Sequence, residues 1–399
     1  MAKKTIRDIE PAGRRILMRC DFNVPLDSCG NITDDTRISG AIPSIRYLSD
    51  SAGRVILCSH LGRPGGEERP EFSLKPVAAR LGELLAMEVG FVESCVGEDA
   101  VNARGNLKDG EVLLLENVRY HKEETVNDPL FASRLANGAD VFVNDAFGSA
   151  HRAHASTAGV GSHVVERVMG FLMERELKYL REELKDPGRP FVIILGGKKV
   201  SDKIGVINAL FDKADTILIG GAMQYAFRKA QGHDVGESHV VDEDIPIARG
   251  LLEKAENQGV DLILPADSLE ADNFSGDAAT SNIMPYAEGG GIREGWEGLD
   301  IGEKAIDEFC NVISSAKSVV WNGPMGVFEI DAFSRGTKAV AQAVADSDAL
   351  SIIGGGDSVT AIKKFGLTDR VTFISTGGGA SLELLEGKDL PGVSCLDEI

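Results

Sequence analysis

Short apolar runs recur along the chain, each bounded by polar or glycine residues. The first part contains "RRILMRC" (14–20), "GRVILCSH" (53–60), "EVLLLENVRY" (111–120) and "ADVFVNDAFG" (139–148). The second contains "PFVIILGG" (190–197), "TILIGG" (216–221), "VDLILPAD" (260–267), "KSVVWNGP" (317–324), "LSIIGGG" (350–356) and "RVTFISTGGG" (370–379). Continuous Val, Ile and Leu predict strands buried on both faces, and their alternation with helical stretches predicts parallel sheets. In Met169–Pro190, Leu172, Leu177, Leu180 and Leu184 lie at roughly helical spacing, and Asp186-Pro187-Gly188 stops the pattern. This segment predicts a connecting helix. "EGGGIREGWEG" (288–298) reads as a loop. The expected fold class is α/β, with two domains, each a parallel sheet flanked by helices in Rossmann-like layers, joined by a hinge helix. The expected boundaries are 1–170, the connecting helix 171–186, a second domain 187–385, and a C-terminal segment 386–399 that is a candidate to pack back on the first domain.

Nearly every run ends in a polar, cationic or glycine cluster. In open parallel sheets, ligands bind beyond the carboxyl ends of the strands. The first set of runs ends in Arg, His, Asp and Asn, the second mostly in Gly. Two sheets that hold two different ligands are expected.

The length, 399 residues, suits two domains, and 43% apolar residues suffice for real cores. Charged residues interrupt every apolar stretch before it reaches membrane-spanning length. The start, "MAKKTIRDIEPAG", has no apolar core of a signal peptide. A soluble, cytoplasmic protein is expected, with no membrane partner. The net charge of −20 argues against a nucleic-acid partner. That charge is uneven: residues 1–170 carry −4 and residues 171–399 carry −16, and five of the seven His lie in the first part. Arginine in that first part suits carboxylate and phosphate ligands. The six cysteines form no CxxC pair and read as reduced thiols.

A glycine loop that opens a helix exposes backbone N–H groups at the positive end of the helix dipole, which is a phosphate site. The same loop can be a plain capped turn, but several recur in one half. None is a Walker A loop or a clean GxGxxG after the first strand, so a dinucleotide-binding dehydrogenase fits poorly. In "GGKKVSDKIG" (196–205), Lys199 and Lys203 share a face if the segment is helical, and Lys198 points elsewhere. Lysines in a first helical turn oppose the dipole, so an anion is expected there unless Asp202 compensates. Asp357, after the glycines, is either a helix cap or a Mg²⁺ ligand beside phosphate, and the two roles can coexist. In the first part, Arg19, Asp21 and Asn23 alternate along "MRCDFNVP" and share a face if extended. Arg37, His60, Arg63, Arg119, His151, Arg152 and His154 complete a cationic set. A metal on His151 and His154 lacks a carboxylate partner, and Arg152 between them points to anions.

Taken together, "DFNVP", "SHLGRP", "LLENVRY", "NDAFGSAHRAHAS", "ILGGKKVSDKI", "VVWNGPMGVFE", "IGGGDS" and "STGGGASLELLEG", in this order, resemble the phosphoglycerate kinase family over nearly the whole chain. The resemblance implies Mg²⁺-dependent phosphoryl transfer between ATP and 3-phosphoglycerate, giving ADP and 1,3-bisphosphoglycerate, in glycolysis and gluconeogenesis. It implies a phosphoglycerate-binding first domain with Asp21, Asn23, Arg37, His60, Arg63, Arg119 and Arg152 at the substrate. It implies a nucleotide-binding second domain using Lys203, Asn322, Glu329, Gly354, Gly355, Gly356, Asp357 and Ser358. Arg37 and Lys199 are the implied catalytic pair. Gly377, Gly378 and Gly379 would stabilise phosphate, and Asp357 would hold Mg²⁺ with the nucleotide. Lys198, Ser358, Glu303 and the "GGAMQYAF" stretch depart from the family pattern. A monomer with hinge closure is expected.

Two other readings fit the residues less well. A binding protein without catalysis would not need the whole cationic set together with Lys199, Lys203 and Asp357. Against a phosphotransferase acting on another small carboxylic acid, the number of arginines favours a substrate that carries both carboxylate and phosphate.

Overall fold

The computed structural model describes residues 2–399. The chain forms two compact units. The first runs to Lys178 and takes in Lys388–Ile399; the second is Tyr179–Gly387.

The first unit holds a six-stranded sheet of β1 (Arg15–Arg19), β2 (Arg54–Cys58), β3 (Val89–Val92), β4 (Val112–Leu115), β5 (Val141–Asn144) and β6 (Glu166–Met169). Their spatial order is β3-β4-β2-β1-β5-β6, and every pair is parallel. The four inner strands bury almost every residue, as their unbroken apolar runs require. Helices Thr36–Asp50 and Lys75–Leu85 cover one face, with Ile38, Ile45, Leu48, Val77 and Leu81 packed into the same core as Ile16, Met18, Val55 and Leu57. The register sets Arg19 level with Cys58 and Asn144, so the segments after β1, β2 and β5 emerge at one edge.

In the second unit, β7 (Phe191–Leu195), β8 (Thr216–Ile219) and β9 (Asp261–Ile263) form a parallel sheet with three later strands, β13 (Ser318–Asn322), β14 (Leu350–Gly354) and β15 (Phe373–Ile374). The order β15-β14-β13-β7-β8-β9 is the doubly wound one. The chain winds one way from β7 and the other way from β13, so the crevice between these two strands is the switch point where such sheets bind ligands. Asn322 lies level with Leu195 and Gly354, which brings three loops together there.

Ten predicted runs coincide with strands. The structure adds what the sequence reading lacked. Strands β3 and β6 lie at the sheet edges and are only partly buried, so they need little apolar patterning. A separate antiparallel sheet of β10 (Ser268–Ala271), β11 (Thr280–Asn282) and β12 (Glu297–Ile301) stands in the second unit in addition to the expected parallel one. Its strands are short and polar. The expected connecting helix is regular only over Phe171–Leu177 and continues as a π-helical turn, Lys178–Glu182. Leu177, Leu180 and Leu184 are buried, as their spacing requires. The C-terminal residues add to the first sheet's surroundings: Asp397 pairs with Arg167, and Gly392 accepts from Asn144 at 2.8 Å.

Candidate active site

Arg19 ends β1 with no exposed surface, and its Nε donates to Ser156 Oγ at 2.8 Å. Its Nη2 lies 3.0 Å from His60 Nδ1. A guanidinium can only donate, so that nitrogen of His60 accepts, and the neutral ring carries its proton on Nε2. Burial holds the His60 pKa well below its ordinary value, and Arg19, Arg119 and Arg37 add to the effect. His60 therefore offers a fixed neutral N–H donor.

Asp21 and Asn23 lie in the loop past β1. Asp21 is ion-paired with Arg37, from the first turn of helix Thr36–Asp50. Burial opposes ionisation of Asp21, but the cations around it outweigh that and lower its pKa. Gly148 abuts this pair; a Cβ there would collide with Asp21. Asn23 Oδ1 accepts from Gly62 N at 2.8 Å, which shapes the loop that carries the exposed Arg63. Arg119 donates to Gly62 O at 2.9 Å, yet its Nε is buried without a partner. Burial, together with Arg19 and Arg152, brings the Arg119 pKa down to about 10. Arg152 is half-buried beside His151. This edge of the sheet thus gathers like charges at a close, poorly hydrated spot. Asp21 offsets part of this charge, and the rest favours a bound anion.

His154 is buried, and burial with Arg119 and Arg152 lowers its pKa to about 4. The nearest carboxylate, Glu124, is taken up by Ser156 N and Oγ at 2.9 and 2.6 Å. Among the described residues, no three His, Cys, Asp or Glu side chains cluster as metal ligands.

The second unit opens a cavity of about 880 Å³ at its switch point. Lys199, Lys203, Asn322, Glu329, Gly355, Gly356, Asp357, Ser358, Gly378 and Gly379 all line it. Lys203 donates to Asn322 Oδ1, and burial lowers its pKa against the pull of Asp202 and Asp357. The segment 196–203 is loop and turn, and the helix starts only at Ile204. The shared helical face expected for Lys199 and Lys203 is therefore corrected. Asp244, which is buried, holds the turn by accepting from Val200 N and Ser201 N at 2.8 and 3.1 Å.

The glycines divide into two groups. Gly196, Gly221 and Gly323 pack backbone against backbone where the loops after β7, β8 and β13 meet, and a Cβ on any of them would collide with main chain. A Cβ on Gly356 or Gly378 would meet nothing within 4 Å, and these two glycines stand where helices Gly356–Lys364 and Gly379–Leu385 open. Only the second group leaves room for an anion. Gly354 ends β14, and Gly377 is buried with its N–H on Ser375 Oγ. Ser358 is fully buried, and its Oγ accepts from Gly323 N at 2.6 Å, so its side chain ties two loops together. Asp357 is exposed in the first turn of its helix, as suits one carboxylate that shares Mg²⁺ with phosphate oxygens.

The phosphoglycerate kinase family model matches residues 6–388. The chain belongs to the phosphoglycerate kinase family. A phosphoglycerate kinase of Akkermansia muciniphila is 56% identical over 398 residues, covering 100% of this chain and 98% of that protein. One from Clostridium tetani is 53% identical, covering 99% and 98%. The solved phosphoglycerate kinase of Coxiella burnetii superposes with a TM-score of 0.89 at 40% identity, over 98% of each chain. That of Pyrococcus horikoshii gives 0.81 at 31% identity, also over 98% of each. As a phosphoglycerate kinase, the chain carries out Mg²⁺-dependent phosphoryl transfer between ATP and 3-phosphoglycerate, a step of glycolysis. No helix among the described residues is long and apolar enough to cross a membrane.

Several residues of the candidate site escape a reading of the sequence. Arg19 is visible there as a charge inside an apolar strand, but its partners, Ser156 and His60, are remote. Asn117 holds Arg119 by accepting from its N–H at 3.0 Å, while donating to Leu61 O and Phe72 O. Tyr225, His239, Phe274 and Gly298 also line the cavity, and Phe274 lies between β10 and β11 of the unpredicted antiparallel sheet.

Proposed function

We propose that the first unit holds 3-phosphoglycerate through Asp21, Asn23, Arg37, His60, Arg63, Arg119 and Arg152. The second takes ATP or ADP through Lys203, Asn322, Glu329 and the loops 354–358 and 377–379. The observation that carries this reading is the partnerless Nε of buried Arg119 amid Arg19 and Arg152, which calls for an anion. The 880 Å³ cavity with Lys203 at its switch point supports the nucleotide assignment.

The acceptor carboxylate is ionised at neutral pH, so it attacks without a general base. The residues' task is to align two anions and offset charge on the transferring phosphoryl group. Arg37 and Lys199 do this directly, and the N–H groups that open helices Gly356–Lys364 and Gly379–Leu385 add to it. Asp357 would hold Mg²⁺, which neutralises phosphate charge. Closure about the segment 171–186 excludes water, which would otherwise compete as acceptor. The protein acts as a cytoplasmic monomer.

The test is a coupled assay with 3-phosphoglycerate, ATP and Mg²⁺ that follows ADP with the acyl phosphate trapped, beside Arg119→Met. Turnover that depends on acid and metal is expected, with KM for the acid raised by about tenfold or more in Arg119→Met. An unchanged KM would remove Arg119 from the acid site.

A further inference from the structure

One cation at the cavity has no role in the reading above. Lys198 lines the cavity, is exposed, and makes no hydrogen bond or ion pair among the described residues. Residues 171–399 carry a net charge of −16, so acidic partners are plentiful. A lone solvated lysine is common on surfaces, but this one is not on a free loop. Before it, Gly197 O accepts from Met223 N at 3.0 Å and Gly197 N donates to Pro324 O. After it, Val200 N and Ser201 N are fixed on Asp244. Lys198 and Lys199 thus form a two-residue bridge pinned at both ends, and Asp244 is already engaged by backbone.

Position separates Lys198 from Lys203. Lys203 sits on the β13 side, on Asn322. Lys198 follows directly on Gly197, which is tied to the β8 side through Met223 and Gly221 and to the loop after β13 through Pro324 O. The wall past β8 continues into Ala222 and Tyr225, and Glu297, Gly298 and Leu299 line the cavity as well. A tyrosine ring with a carboxylate suits a base and sugar, and the lysine–Asn322 side suits the far phosphates. Lys198 stands between them.

We propose that Lys198 is a third phosphate-binding lysine of this cavity and acts on the phosphate nearest the nucleoside. The inference rests on the assignment of the cavity to the nucleotide. Its ammonium is a point charge on a flexible stem, so it contributes attraction and no fixed geometry.

The test is calorimetric binding of adenosine, AMP, ADP and ATP to the full-length protein and to Lys198→Met, Lys198→Arg and Lys203→Met. Lys198→Met should weaken AMP, ADP and ATP alike, by about three- to tenfold at low salt, and leave adenosine unchanged. Lys198→Arg should restore most of the loss, and added salt should shrink it. Unchanged affinity for all three nucleotides, a loss confined to ATP, or an equal loss for adenosine would each overturn the proposal. If Lys203→Met alone weakens binding, the cavity assignment stands and the Lys198 proposal falls. If wild type binds ADP and neither lysine matters, the cavity assignment falls with it.

Discussion

Lys203 spans the switch point of the second sheet and donates through Nζ to Oδ1 of Asn322, on the end of the neighbouring strand β13. The partner is neutral, so this bond does not neutralise the ammonium. Nδ2 of the same Asn322 is buried and has no partner. The pair is therefore half of a network that, in the proposed function, a nucleotide phosphate would complete.

Removing either member should show this coupling. Lys203→Met should weaken ADP binding by about tenfold or more, and Asn322→Ala by about fivefold. The double variant should lose less than the product of the two, because the residues act as a unit. A double-mutant cycle by calorimetry measures the difference; strictly multiplicative losses would count against the network.

Arg37 is held by Asp21, whose carboxylate stays ionised despite burial. Arg37→Ala should lower kcat by about 100-fold or more, as for other donors to a developing anion, and leave ADP affinity nearly unchanged. Asp21→Asn keeps the shape but loosens Arg37, and should lower kcat less. Steady-state kinetics with parallel ADP titrations separate the two effects. Near-normal turnover in Arg37→Ala would exclude it from the reacting atoms.

Two glycine substitutions should behave oppositely. A methyl on Gly196 would collide with the Pro324 carbonyl, so Gly196→Ala should destabilise the second unit by about 3 kcal/mol or more. A methyl on Gly356 meets nothing, so Gly356→Ala should keep the melting temperature within a few degrees and cut nucleotide affinity. Thermal melts and ADP titrations on both variants make the comparison. Equal behaviour would mean that the glycines do not divide as described.

That division is hidden in the sequence, where "ILGGKK" and "IGGGDS" look alike. Which glycine touches main chain and which faces open space depends on how three strand ends meet, and no local pattern encodes it. Inner strands are legible because burial on both faces forces apolar runs, as in Phe191–Leu195. Edge strands and the antiparallel sheet are not, since Glu166–Met169 and Thr280–Asn282 carry little apolar signal. Residues that project toward the candidate site, such as Arg37 and Lys203, are legible from their chemistry. The residues that hold them in place, such as Asn117 and Asp244, are not, because their roles lie in contacts across the fold.

Asp145 follows β5 and is buried; its Oδ1 accepts from Met173 N at 3.0 Å, and its Oδ2 has no partner. Burial raises its pKa from 3.8 to about 7. A group raised in the folded state favours folding at low pH, and that contribution is lost as pH climbs from about 4 through about 7. Asp145→Asn resembles the protonated form and should remove this loss. The variant should match wild type near pH 4 and exceed its stability by on the order of a few kcal/mol at pH 8. Urea melts across this range test it, and a constant difference at all pH values would refute it.

The first unit is built from two stretches of chain, one ending at Lys178 and one beginning at Lys388, whereas Tyr179–Gly387 is continuous. Synthesis therefore leaves the first unit unfinished until residues 388–399 leave the ribosome, since Gly392 and Asp397 bond to Asn144 and Arg167. The second unit has all its strands before that moment. Although translation begins with the first unit, it is the later one that can complete its fold first, and a nascent chain stalled before Lys388 presents one finished unit and one open one.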